Sequence, residues 1–124
     1  MSADYQELAI NTSFTATFDQ AVGAKTVLVN VFNKRCTLEI PTGTTADGGG
    51  AAIASGATDI PAAYRPRASI SFPVIVTSNN ALVAGKLVVA STGVMTFSSS
   101  AAGGTFTDNA VAGFDRCSVS YILP

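Results

Sequence analysis

Arg35-Cys36-Thr37-Leu38-Glu39-Ile40 decides the fold class. In an extended chain Cys36, Leu38 and Ile40 fall on one side and Arg35, Thr37 and Glu39 on the other, because successive side chains of a strand point to opposite faces. Turn chemistry flanks the segment: Asn33-Lys34 before it, Pro41 and a Gly/Ala/Thr-rich stretch after it. Outward from here the same period recurs. Ile70, Phe72, Val74 and Val76 share a side, as do Met95 and Phe97, and Cys117, Val119, Tyr121 and Leu123. Runs rich in Val, Ile, Phe and Thr between Gly, Asn, Ser and Pro punctuation read as strands. The pattern predicts them at Phe14–Phe18, Lys25–Phe32, Arg35–Ile40, Ser69–Thr77, Leu82–Ala90, Val94–Ser98, Thr105–Thr107 and Phe114–Leu123. A short strand is allowed near Ala51–Ala54. No helical apolar stripe with caps is present, although residues 2–9 allow a helical turn. The expected fold is all-β: an antiparallel, jelly-roll-like β-sandwich of about eight or nine strands. It forms one domain, with residues 1–24 a junction carrying the first strand and 25–124 the sandwich proper.

Two strands break the one-sided pattern. Val27, Val29 and Val31 oppose Leu28 and Phe32, and Leu87 and Val89 oppose Leu82 and Val88. Strands apolar on both faces are covered on both faces. The cover is either a subunit interface or the long 41–68 loop.

Charge is thin. Seven basic and eight acidic residues make 12% of the 124-residue chain, against about 25% in an average soluble domain. Between Ala68 and Thr107 the only charged residue is Lys86. A surface so short of charge is expected to be dressed in Ser, Thr and Asn and partly covered by other copies. The net charge of −1 gives no pull toward nucleic acid or an anionic membrane. No apolar run reaches the roughly 18 residues of a membrane span. Met1–Thr12 is polar, so no secretory signal is expected.

Catalysis is not expected. The chain has no His, so general acid–base work would fall on carboxylates, and nothing marks a pair among the eight. Gly48-Gly49-Gly50 lacks the GK[ST] ending of a phosphate loop. No cofactor and no metal site are expected. Cys36 and Cys117 fall on core faces and read as two buried thiols, or as a disulfide if their strands are neighbours. Asn11-Thr12-Ser13 matches a glycosylation sequon, which without a secretory signal reads as accidental.

One combination is distinctive. Leu38-Glu39-Ile40-Pro41 leads through a Gly/Ala/Thr-rich loop to Asp59-Ile60-Pro61-Ala62-Ala63-Tyr64-Arg65-Pro66. Then follow Phe72-Pro73-Val74, Gly85-Lys86-Leu87-Val88-Val89, Ser91-Thr92-Gly93, Ala112-Gly113-Phe114 and Ser118-Val119-Ser120-Tyr121. Over residues 25–123 this resembles the C-terminal head module of phage tail-fibre and giant-virus fibre-like proteins, also found at the tips of trimeric adhesins. The resemblance implies a compact β-sandwich, trimerised about a fibre axis, at the tip of a virion or extracellular fibre. The function it implies is non-enzymatic attachment to a glycan or protein receptor. Two other readings stay open: a structural cap or decoration without a receptor, and a small polysaccharide depolymerase. The family carries no fixed binding motif.

Counting strands back from a proximal C-terminus sorts the loops. Distal are Asp19–Ala24, the 41–68 loop, Ser91–Gly93 and Asp108–Gly113; proximal are Asn33-Lys34, Ser78–Asn80 and 99–104. The candidate ligand residues are therefore Asp19, Gln20, Thr44, Thr45, Asp47, Thr92, Asp108 and Asn109. All are small and polar, suited to sugar hydroxyls, and all are equally at home in turns.

Overall fold

The computed structural model describes residues 9–124, so the helical turn allowed at 2–9 falls, but for Ala9, outside the described residues. Ten antiparallel strands form two sheets. The first has β1 (Ile10–Phe18), β2 (Gly23–Phe32), β3 (Arg35–Ile40) and β10 (Cys117–Ile122), in the order β1-β2-β3-β10. The second has β4 (Gly43–Thr45), β5 (Ile53–Ala54), β6 (Ile70–Ser78), β7 (Ala81–Val89), β8 (Met95–Ser98) and β9 (Ala112–Phe114), in the order β4-β9-β6-β7-β8-β5. Among the described residues the only helical element is a 3₁₀ turn at Ala62–Tyr64. This is the expected all-β sandwich.

Local chemistry sets the register. Phe32 pairs with Arg35 and Ser78 with Ala81, leaving the two-residue turns Asn33-Lys34 and Asn79-Asn80. All four turn residues have positive φ, between 51° and 64°. Such turns match the twist of the flanking strands, and Asn tolerates the left-handed region. With the turns fixed, the alternation buries Val27, Val29 and Val31 of β2, Cys36, Leu38 and Ile40 of β3, and Leu87 and Val89 of β7.

The core is tied across the layers by three rings. Phe97 and Phe114 stack with centroids 3.9 Å apart, and Phe18 of the first sheet tilts against both. Gly113 makes room at the β4 edge: any Cβ there would strike the Gly43 carbonyl oxygen.

Three details differ from the sequence expectation. Thr105–Thr107 is not a strand; Phe106 plugs the core and its amide alone bonds back, to the Ala51 carbonyl at 3.0 Å. Phe114–Leu123 is two strands in different sheets, broken where the Arg116 amide bonds the Thr42 hydroxyl at 3.1 Å. The boundary at residue 24 falls inside a hairpin, since β1 pairs with β2 along all nine of its residues.

The cysteines are free. Cys36 lies opposite Tyr121 and Cys117 opposite Ile40, so they are four residues out of register on neighbouring strands. That is about 13 Å of strand, beyond the roughly 7 Å Cα separation a disulfide allows.

Candidate functional site

Two surfaces qualify: the loop end that the sequence singles out, and a groove on the outer face of the first sheet.

At the loop end the structure gathers most of the expected residues. The Asp47 carboxylate accepts the amides of Gly49 and Asn109, each at 2.8 Å. Those two bonds, Asn109 first, hold its carboxyl below the ordinary value of 3.8. Asp108 accepts the Asn109 amide at 3.0 Å. Asp19 accepts the Ala54 amide at 2.9 Å, and Gln20 lies against Gly49. Thr44 and Thr45 pair with Gly113 and Ala112 beside them. These carboxylates act as loop staples: each has at least one oxygen on a backbone amide.

Thr92 is at the other end. Its turn follows β7, whose opposite end is the Asn79-Asn80 hairpin. That hairpin meets the 108–113 loop through Asn80 N–H to Val111 C=O at 3.2 Å. The expectation that Ser78–Asn80 is proximal and Thr92 distal is thus inverted, for a definite reason. Without a strand at Thr105–Thr107 the count is off by one upstream of it. The 41–68 segment then runs from one end of the sandwich to the other and restores the count for Asp19 and Gln20. The end that holds Thr92 is closed by the 60–66 segment. There Arg65 Nε donates to the Ile60 carbonyl at 2.7 Å and the Tyr121 hydroxyl donates to the Tyr64 carbonyl.

The groove, of about 320 Å³, is lined by outward residues of β1, β2 and β3, Asn11, Ser13, Leu28, Asn30, Thr37 and Glu39, together with Thr12 and Val29. The pairing aligns these side chains in two rows, Asn11–Asn30–Thr37–Ser120 and Ser13–Leu28–Glu39–Ser118. Asn30 Nδ2 donates to Asn11 Oδ1 at 2.7 Å, and the Thr37 and Ser120 hydroxyls bond at 2.8 Å. Arg116 Nη2 donates to Glu39 Oε1 at 3.0 Å. Sequence reasoning passed these residues over. The signals were present, in the Asn30 that interrupts a valine run and in the outward Thr37 and Glu39, but only the register shows that they meet Asn11.

No protein-family model matches the chain, and no curated protein matches it.

The outer face of the second sheet differs. Ile75, Leu82 and Val111 are 49%, 66% and 40% exposed. Leu82 pairs with Thr77, Thr77 with Gly113, and Ile75 follows one row on, so the three surround Thr77. The long loop covers neither Leu82 here nor Leu28 and Phe32 on the first sheet, which are 47% and 53% exposed.

Proposed function

We propose that the chain is a non-enzymatic attachment module, the tip domain of a fibre, acting as a homotrimer that holds a cell-surface receptor. The observation that carries this reading is the division between the two outer faces. One carries contiguous apolar side chains, Ile75, Leu82 and Val111, with Lys86 one row beyond Ile75 on β7; the other carries a polar groove. Burying the Ile75–Leu82–Val111 patch between copies removes exposed apolar area from water. Closed symmetry about a three-fold axis satisfies the patch on every copy. The first sheet then faces outward, with its groove and the loop end open to a receptor. The loop-end residues contribute by holding the loops in shape.

Adhesion tests it. Fluorescently labelled protein is titrated onto a panel of bacterial and eukaryotic cells, with the heat-unfolded protein as control. Saturable binding to some cells and not others is expected. Uniform absence of binding overturns attachment and leaves a structural cap.

A further inference from the structure

We infer that the groove across β1, β2 and β3 is a saccharide site for an uncharged sugar; the inference rests on the attachment reading above. A sugar hydroxyl both donates and accepts, so its site needs donors and acceptors at fixed positions. The Asn30-to-Asn11 bond fixes both amides and leaves both Asn11 Nδ2 hydrogens, one Asn30 Nδ2 hydrogen and the Asn30 Oδ1 acceptor. Arg116 anchors Glu39 through Oε1 and leaves Oε2 as a second acceptor. Side chains already held by neighbours lose less freedom when a ligand arrives. Leu28, exposed between Ser13 and Glu39, supplies an apolar surface for the C–H face of a pyranose ring.

Charge decides the class. Among the described residues Glu39 is the one charged residue lining the groove, and its cation, Arg116, is already engaged. A sialic or uronic acid would bring a carboxylate toward Glu39 with no free cation in the lining to receive it. A neutral hexose or N-acetylhexosamine meets no such repulsion.

The test is a glycan array carrying neutral oligosaccharides with hexose and N-acetylhexosamine ends beside their sialylated and uronic-acid counterparts. It is probed with wild-type protein and with Asn30→Ala and Glu39→Gln. Both substitutions lie on a solvent-facing sheet surface, and thermal melts check that the variants fold. Arg67→Ala, at an exposed position beside the 60–66 segment at the opposite end of the sandwich, is the control. The wild type is expected to bind neutral glycans, Asn30→Ala and Glu39→Gln to bind them at least tenfold more weakly, and Arg67→Ala to match wild type. Unchanged affinity in both groove variants, binding confined to acidic glycans, or no binding on the array overturns the inference. Cell adhesion that persists through any of these outcomes leaves attachment standing without the groove; loss of adhesion to every cell removes attachment itself.

Discussion

On β2, Leu28 and Phe32 point outward from the first sheet, but the Asn30 row lies between them and a hydrogen-bonded polar ladder crosses the sheet there. On the second sheet Ile75, Leu82 and Val111 crowd round Thr77 without an intervening charge. Both faces expose large apolar side chains, so exposure alone does not separate them. Spacing does. Scattered single apolar residues are ordinary on a protein surface, whereas a contiguous patch marks a contact. A polar ladder fixed by its own hydrogen bonds suits a directional ligand, and a contiguous apolar patch suits another copy of itself.

The largest break removes the support that both faces share. Phe114→Ala deletes the ring that stacks on Phe97 and touches Phe18. Stability should fall by about 3–5 kcal/mol, read by denaturant unfolding, and both faces should lose function together. A smaller change of stability would show that the rings repack around the gap.

Leu82→Asp should separate the faces. A carboxylate buried in the contact without a partner costs about 3–5 kcal/mol, more than a hundredfold in self-association, so light scattering should find monomer. Leu28→Asp, on the other face, should leave the mass unchanged. A trimer that survives Leu82→Asp but not Leu28→Asp reverses the assignment.

pH sharpens the contrast between the interior and the loop end. Burial pushes the Cys117 thiol up to about 11 from an ordinary 9.0. It also raises the Tyr121 phenol, with Cys36 adding to the effect. A raised pKa in the fold means stability that is whole below the unfolded value and lost as pH rises past it. Thermal melts should therefore fall above about pH 9, as the unfolded chain ionises groups that the fold keeps neutral. Asp47 has the opposite sign. Its lowered pKa lends support that is present above 3.8 and lost as pH falls below it. Acid should thus loosen the loop end first, seen as faster amide exchange at Gly49 and Asn109.

Period-2 alternation made the sheets legible: the limits of β3 are those read from Arg35–Ile40, and the outward Leu28, Phe32 and Leu82 were readable from parity alone. Thr105–Thr107 misled because Thr and Phe favour strands, while Phe106 is held by burial and one backbone bond rather than by a ladder. β4 escaped because Gly43-Thr44-Thr45 reads as loop, and it pairs only where Gly113 lets the chains close. The loop-end residues were legible as a cluster but not as staples, since the bonds that tie the loops together, Asp47 to Asn109 and Asp19 to Ala54, join residues far apart in the chain. The groove was not legible: Asn11 and Asn30 meet only once the β1–β2 register is known.

The central claim is that the second sheet's outer face is a contact between copies while the first stays free. Size-exclusion chromatography with light scattering on the wild-type chain at micromolar concentration tests it most directly. The account predicts three times the 12.6 kDa chain mass. A stable monomer across that concentration range would contradict it.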